Sequence, residues 1–394
     1  MICPDVMRCL PSVFRSCSLA ALCFATVVCT AAEQVSSYLV YVGTYTGPNS
    51  KGIYGYRYET RTGKLQPMGV MAEVENPSWL TLHPNGHFLY AVSELGDAGE
   101  RQGAISSFAI DGKTGALQFL NKVESGGGGA CHLVVDKTGK FIAVANYGSG
   151  SVGVFRLDPN GRLRERTALV QLSGSSVNPK RQKGPHAHAV VLSADNRFLF
   201  VPDLGTDEIM SYRFNSADGS LTPNSPPFTK VEGGSGPRHF AFAPSGKFAY
   251  LLNEMGSRVT AFSYDARNGR LKELQNISTL TPDFQGENNS AEIQVDSKNQ
   301  FVYVSNRGDD SIAVFSINPR LGTLTAVQRV STGGNVPRNF ALDPAGAHLL
   351  AANQKSDNIV LFSVSSQNGE LSPTGETINV SAPVCIQFVA HEIP

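Results

Sequence analysis

The chain has 394 residues, of which 41% are hydrophobic, so it is long and apolar enough to bury a large core. Its 33 basic and 33 acidic side chains balance, and charge therefore points neither to nucleic acid nor to an anionic membrane as a partner. Only two of its seven cysteines, Cys131 and Cys385, lie beyond residue 32. This pattern excludes a disulfide scaffold and predicts two buried thiols.

The first 32 residues have the order of a secretory signal peptide. Arg8 and Arg15 precede an apolar run at residues 17–29, and the small residues Thr30–Ala32 follow. The run is too short to span a bilayer comfortably; an uncleaved anchor or a misassigned start is the alternative. We predict a signal peptide at residues 1–32 and an exported domain, periplasmic or secreted, at residues 33–394. No membrane attachment is expected after the signal is removed.

The rest of the chain repeats a short apolar string seven times, at intervals of about 50 residues. The seven copies are Tyr41–Tyr45, Tyr90–Glu94, Ala143–Tyr147, Phe200–Leu204, Tyr250–Glu254, Tyr303–Arg307 and Leu350–Gln354. A repeat of this length made of β-type segments is typical of the blades of a propeller. We predict an all-β, seven-bladed β-propeller that forms one domain, because each blade buries its faces against its neighbours.

The stretch after Gly236 shows one blade. Alternating or apolar runs at residues 238–243, 248–253, 258–264 and 271–274 are separated by Gly-bearing turns, which predicts four antiparallel strands. At the chain ends, residues 38–45 read as a second strand and residues 383–391 as a first strand. We therefore expect blade one to be closed by the N- and C-terminal strands, which removes exposed sheet edges.

Antiparallel geometry predicts which residues meet in the central channel. The start of each first strand and the end of each second strand lie at the same end, since a hairpin joins the two strands at the other end. One rim then gathers His132, His188, His239, Arg238, Arg307, Arg338, Glu94, Glu254 and Glu292, with His186 just outside. Charged residues rarely occupy a narrow channel unless they pair or bind something. A ligand site is favoured over a self-satisfied ring of ion pairs.

Each group at the rim has a possible functional role and an alternative role. Guanidinium groups suit carboxylate or phosphate, although the arginines could instead pair with Glu254 and Glu292. Glu254 is a candidate general acid or base, Glu94 lies further from the His and Arg group, and His239 could be a packing residue. His186 and His188 could start a metal site, but no further ligand stands at suitable spacing. We predict no metal and no cofactor.

Several strings resemble the seven-bladed lactonase family, which contains propeller-type 6-phosphogluconolactonases and fungal 3-carboxy-cis,cis-muconate lactonizing enzymes. They are Ala145–Tyr147, Pro185–His188, Asp203–Gly205, Gly236–His239, Asn253–Glu254, Ser305–Arg307, Pro337–Arg338 and Ala352–Gln354. The resemblance covers nearly all of residues 36–392. It implies a site made of His188 (or His186), Arg238, Glu254 and Arg307.

The resulting leading hypothesis is a metal-independent lactonase, a carboxylic ester hydrolase that opens a sugar lactone or phospholactone at the channel mouth. Arg238 and Arg307 would hold an anionic group and the oxyanion, and His188, oriented by Glu254, would activate water. The remaining candidates for substrate contact are His186, His132, His239, Arg338, Glu292 and Glu94. The expected partner is a small anionic lactone or carboxylate, and the expected assembly a monomer or weak homo-oligomer.

Two alternatives stay open at this point. The same arginines and acid–base pair could close rather than open a lactone, as a muconate-type cycloisomerase does. An exported propeller could also bind a ligand or a protein without catalysis. The signal peptide is a departure from this family, because phosphorylated gluconolactone is a cytosolic metabolite. It leaves open an unphosphorylated sugar lactone or a different substrate.

Overall fold

The structure is a computed structural model that describes residues 37–96 and 101–389. Those residues form twenty-eight strands in seven four-stranded sheets. The predicted signal peptide, and the start of the domain at residue 33, lie outside the described residues. Within the described ranges, no helix has the length and apolar character needed to cross a membrane.

The first three blades use the chain's C-terminal strand and its first eleven strands. From the channel outward, they are Pro383–Val389 (β28), Ser37–Thr44 (β1), Gly52–Glu59 (β2) and Leu65–Glu73 (β3); Leu80–Leu82 (β4), Phe88–Ser93 (β5), Ala104–Ile110 (β6) and Leu117–Glu124 (β7); Ala130–Val135 (β8), Phe141–Asn146 (β9), Ser151–Leu157 (β10) and Leu163–Gln171 (β11).

The remaining four blades follow in chain order. They are Val191–Leu192 (β12), Phe198–Asp203 (β13), Glu208–Phe214 (β14) and Leu221–Lys230 (β15); Pro237–Phe242 (β16), Phe248–Asn253 (β17), Arg258–Asp265 (β18) and Arg270–Ser278 (β19); Asn289–Val295 (β20), Phe301–Arg307 (β21), Ser311–Ile317 (β22) and Leu324–Ser331 (β23); Pro337–Leu342 (β24), His348–Asn353 (β25), Asn358–Val364 (β26) and Leu371–Asn379 (β27).

The ring closes where the two ends of the chain meet, as predicted. The terminal strand β28 pairs antiparallel with β1, with Leu39 opposite Val389 and Gly43 opposite Cys385. First strands of neighbouring blades also contact one another around the channel, including β28 with β4 and β24 with β28. Cys131 and Cys385 are buried and free, as the sequence predicts.

The core lies between blades. Seven hydrophobic clusters each combine residues of two adjacent blades. In one of them, Leu39 of the first blade packs with Leu89 of the second. In another, Val40 packs with Leu350 of the seventh. Because every blade is covered on both faces, the apolar runs of the second strands are buried throughout.

The repeated apolar strings contact Gly-bearing turns of the neighbouring blades in this core. The hydroxyl of Tyr250 donates to the carbonyl of Gly322 at 3.1 Å, and Tyr303 bonds Gly369 in the same way at 3.0 Å. Gly322 has φ of +72°, and a Cβ there would overlap the ring of Phe248. A glycine is thus needed both for the positive φ of the turn and for the close approach of the neighbouring blade.

Candidate active site

Strand pairing brings the predicted rim residues to one end of the channel. In the fifth blade Pro237 at the start of β16 lies opposite Asn253 at the end of β17. In the sixth blade Asn289 lies opposite Arg307. The last residues of the second strands therefore lie next to the first residues of the first strands, as antiparallel geometry requires.

A β-bulge at the start of several first strands turns particular side chains toward the centre. The register shifts between Pro237 and His239, so Arg238 is an extra residue with no partner in the ladder. Arg338 occupies the same position in the seventh blade, and Cys131 in the third. A bulge bends the strand and re-aims one side chain. The repeated bulge thus explains why these positions point into the channel.

A cavity of about 300 Å³ opens at this end. Its walls are mostly polar or charged, and the residues that form them are Tyr45, Glu94, Cys131, Tyr147, Arg181, His188, Glu254, Asn289, Arg307 and Arg338. The lining thus carries three guanidinium groups and two carboxylates. Such a set favours a small anionic ligand over an apolar one.

A second cavity, of about 260 Å³, lies between the sixth and seventh blades. It is lined by the turns that join first and second strands, including residues 296–300 and 342–346. This is the end of the channel opposite to the arginines. It contains none of the predicted catalytic residues, so the arginine-lined cavity is the candidate site.

Glu254 is the shared acceptor of three arginines. Its Oε1 lies 2.9 Å from Nη2 of Arg181, and its Oε2 lies 3.1 Å from Nε of Arg238 and 2.9 Å from Nη2 of Arg307. Burial raises the pKa of this carboxyl, but the three guanidinium groups outweigh burial and bring the pKa to about 2. Glu254 is therefore ionised at neutral pH, and its geometry suits holding arginines better than exchanging protons.

Arg238 is only 2% exposed and its donors are directed at the protein. Besides Glu254, it donates through Nη1 to the carbonyl of Ala291 and to Nε2 of His239. Burial, followed by the positive charges of Arg307 and Arg338, lowers its pKa to about 10. Arg238 thus remains charged at neutral pH and acts from below the cavity, since it does not line it.

His188 sits in the cavity wall as a neutral imidazole. Burial, followed by the charge of Arg238, holds its pKa well below the usual value. Its Nε2 lies 3.9 Å from Oε2 of Glu254, which is too long for a hydrogen bond. Its Nδ1 has no hydrogen-bond partner among the described residues. A neutral imidazole keeps one lone pair, and His188 can therefore accept a proton.

Arg338 and Glu94 form a second charged pair in the lining. Arg338 Nη2 lies 3.8 Å from Glu94 Oε1, and its guanidinium stands 5.4 Å from the ring centre of Tyr45. The Tyr45 hydroxyl donates to the other oxygen of Glu94 at 2.9 Å. Glu94 and Glu254 line the same cavity.

Besides Arg238, three predicted rim residues lie beneath the cavity instead of in its wall. His132 stacks on Trp79 with ring centres 4.1 Å apart, and His239 lies edge-on to His132 at 5.4 Å. Glu292, 4% exposed, lies 3.2 Å from Nδ1 of His239. His239 and Glu292 border only a small void of about 10 Å³, room for about one water molecule. The sequence pattern predicts at which end of the channel these residues lie. It does not predict how far below the cavity each side chain lies.

The hydrogen bonds around His239 define its tautomer. Arg238 can only donate, so Nε2 of His239 accepts and its Nδ1 carries the proton toward Glu292. Glu292 also receives the side-chain amide of Asn339 at 2.7 Å. Burial raises the pKa of Glu292 to about 7, with Arg238 the main opposing influence. The three side chains Arg238, His239 and Glu292 thus form a buried chain that fixes the arginine from below.

His186 lies at the edge of the site. Its ring stacks on Tyr147 with centres 4.5 Å apart, and its Nδ1 donates to the carbonyl of Tyr147 at 2.9 Å. His186 is not part of the cavity lining, whereas His188 is. Of the two histidines, His188 is therefore the one placed to reach a bound molecule.

Sequence reasoning missed Arg181 and Tyr45. Arg181 lies in the connection between the third and fourth blades, outside the repeating unit. The longest interval of the repeat, between Asn146 and Asp203, was the available signal. Tyr45 is the last residue of the first repeated string, but its neighbours in the sequence do not show that it faces Arg338.

The described residues, 37–96 and 101–389, contain no group of three or more His, Cys, Asp or Glu side chains arranged to hold a metal ion. His186 and His188 in particular are directed to different surroundings, the one against Tyr147 and the other into the cavity wall.

Comparison with known proteins gives one consistent result. A family model described as "Lactonase, 7-bladed beta-propeller" matches residues 39–388. The chain is 36% identical over 359 residues to the 6-phosphogluconolactonase of Bacillus subtilis, which covers 91% of this chain and 100% of the relative. It is 35% identical over 356 residues to the 6-phosphogluconolactonase of Formosa agariphila, across 89% of this chain and 99% of that one.

Among solved structures, the periplasmic gluconolactonase of Pseudomonas aeruginosa superimposes with a TM-score of 0.85. The two proteins are 35% identical, and the match covers 91% of this chain and 100% of the other. The similarity thus extends over the whole propeller and is not confined to single blades.

Proposed function

We propose that the arginine-lined cavity of this chain, which belongs to the family of seven-bladed β-propeller lactonases, hydrolyses the ester bond of a sugar lactone. The chain is a 6-phosphogluconolactonase-like carboxylic ester hydrolase by its relatives. The single observation that supports this location is the convergence of Arg181, Arg307 and Arg338 on a cavity that also contains His188.

The chemistry needs a base, an oxyanion site and a fixed substrate. His188 takes a proton from water as the water oxygen attacks the lactone carbonyl carbon. The carbonyl oxygen becomes an oxyanion, which the positive charges at the cavity stabilise. The tetrahedral intermediate then collapses, the ring C–O bond breaks, and the leaving alkoxide recovers a proton from His188. The products are the open hydroxy acid and a regenerated neutral imidazole.

Glu254 has a supporting part in this proposal. Its pKa of about 2 makes it a poor acid near neutral pH, and its two oxygens are already paired with arginines. It keeps those guanidinium groups together despite their mutual repulsion. This modifies the hypothesis that Glu254 orients His188 directly, since the 3.9 Å separation is not a hydrogen bond.

A panel of lactones tests the proposed activity. The purified protein is expected to hydrolyse δ-gluconolactone, its 6-phosphate, or both, above the spontaneous rate, with equal rates in the presence and absence of EDTA. Proton release in a weakly buffered solution gives the rate, and NMR of the product distinguishes ring opening from other reactions. Saturable binding of gluconate without any turnover would instead support a binding protein. Loss of turnover in EDTA, restored by a metal, would overturn metal independence.

We also propose that the protein is exported and that residues 1–32 are removed. The basic, apolar and small segments of the leader support this, and one similar solved structure is described as a periplasmic gluconolactonase. After expression in a bacterial host, N-terminal sequencing of the protein from the periplasm or medium is expected to begin near Glu33. A protein that starts at Met1 and stays in the cytosol would contradict the proposal.

A further inference from the structure

One segment of the chain departs from the propeller repeat and reaches the candidate site. It runs through residues 172–186, between β11 of the third blade and the first strand of the fourth. The equivalent connection between the fourth and fifth blades takes only residues 231–236. The extra chain is not needed to join neighbouring blades, so it is available for a function at the rim.

The segment is held firmly against the propeller. Gln182 is 0% exposed, and its side-chain amide donates to the carbonyl of Leu204 at 2.9 Å. Asn178 caps the turn, since its side-chain oxygen accepts the backbone N–H of Arg181 at 3.1 Å. The hydroxyl of Ser176 donates to Asp207 at 2.6 Å. The turn that carries Arg181 is thus already ordered. Less conformational entropy is therefore lost when Arg181 binds a ligand.

Arg181 is the cavity arginine most open to solvent. Its side chain is 40% exposed, against 15% for Arg307 and 17% for Arg338. Nη2 of Arg181 donates to Glu254 at 2.9 Å and to the Tyr147 hydroxyl at 3.2 Å. Arg307, in contrast, also directs two nitrogens at the backbone carbonyls of its own blade. The guanidinium of Arg181 therefore has the largest surface left for a ligand.

The charge around the cavity favours an anion with more than one negative charge. Three arginines and two carboxylates line it, Arg238 lies directly below, and His188 is neutral. Glu292, also below the cavity, has a pKa of about 7 and is only partly ionised at neutral pH, so positive charge is in excess by between one and two groups. A phosphate monoester carries about −1.5 to −2 at pH 7, and its oxygens match the fork of a guanidinium.

We propose that Arg181 recognises the phosphate of a phosphorylated sugar lactone and so determines specificity for it. Arg181 and His188 approach different oxygens of the Glu254 carboxylate. Both residues also line the same cavity, so a bound lactone would place its phosphate on Arg181 and its carbonyl over His188. The inference rests on the proposed lactonase activity and deepens it, since it assigns the recognition of the phosphate to a residue outside the repeat.

Kinetics on two matched substrates test this inference. For Arg181→Gln, the ratio of kcat/KM for the 6-phosphate of δ-gluconolactone to that for δ-gluconolactone is expected to fall about 10- to 100-fold, the loss of a charge-assisted hydrogen bond. The loss should be mainly in KM for the phosphorylated substrate. Arg181→Lys should recover part of the ratio, because it keeps the charge but not the fork. Lys180→Gln, an exposed neighbour on the same turn, is the control and should leave the ratio unchanged.

The outcomes separate this inference from the proposed function. If the wild-type protein opens both lactones and Arg181→Gln lowers both kcat/KM values by the same factor, Arg181 only supports Glu254 and the inference is wrong. The same holds if the wild type opens the unphosphorylated lactone but not the phosphorylated one. If the wild type opens neither, the proposed lactonase activity itself fails. Melting curves of each variant establish that the compared proteins are folded.

Discussion

Replacing Glu254 by glutamine is expected to lower kcat/KM for the lactone by at least about 100-fold and to lower the melting temperature. The carboxylate accepts from Arg181, Arg238 and Arg307. Glutamine has the same shape but no charge, and its amide nitrogen would be a donor directed at guanidinium donors. Arg181, Arg238 and Arg307 would then lose the one carboxylate that they share. Breaking a buried pair in this way typically costs about 3–5 kcal/mol.

Activity and stability must be measured on the same preparations. The assay temperature should lie well below the midpoint of the variant, so that the folded protein is compared with the folded wild type. Glu273→Gln is the matched control, because Glu273 is an exposed carboxylate on the outer strand of the same blade. A folded Glu254→Gln protein with wild-type kcat/KM would show that the arginine cluster stabilises the propeller and does not serve catalysis.

The ring and its closure were predictable because they follow from repetition and from simple geometry. Seven copies of one apolar string require seven equivalent strands, and the unmatched ends of the chain have only one blade left to complete. The end of the channel that carries the site follows in the same way from antiparallel pairing.

Strand ends and depth were less predictable. The outer strand expected at residues 271–274 extends over Arg270–Ser278, because an exposed outer strand lacks the apolar alternation that marks a buried one. The bulges at Arg238 and Arg338 leave no clear signature in a single sequence. Without them, one cannot foresee that Arg338 lines the cavity while Glu292 lies below it.

The place of Arg181 in the site could not be predicted for a different reason. It belongs to the third-to-fourth blade connection, yet it contacts Glu254 of the fifth blade. Repeat alignment assigns positions to residues within blades and gives no position to an insertion. The length of the insertion was visible, but the direction in which it folds depends on buried anchors such as Gln182.

Replacing His188 by glutamine is expected to reduce kcat by about 10²–10⁴, the usual contribution of a positioned general base. Stability should change little, because Nδ1 has no described hydrogen-bond partner and Nε2 is 3.9 Å from Glu254. His186→Gln distinguishes the two histidines, since His186 stacks on Tyr147 outside the cavity lining. Its effect on kcat should be much smaller. A larger loss in His186→Gln than in His188→Gln would reverse the assignment of the base.

The pH dependence of the wild-type enzyme gives an independent check on the same residue. A base works only when deprotonated, so kcat/KM falls as pH drops through its pKa. Burial and the charge of Arg238 hold the pKa of His188 well below 6.5. The acid limb of kcat/KM should therefore lie below pH 6.5 and should disappear in His188→Gln. An acid limb at or above pH 6.5, or one that persists in the variant, would mean that another group accepts the proton. Glu254, with a pKa of about 2, would not explain it.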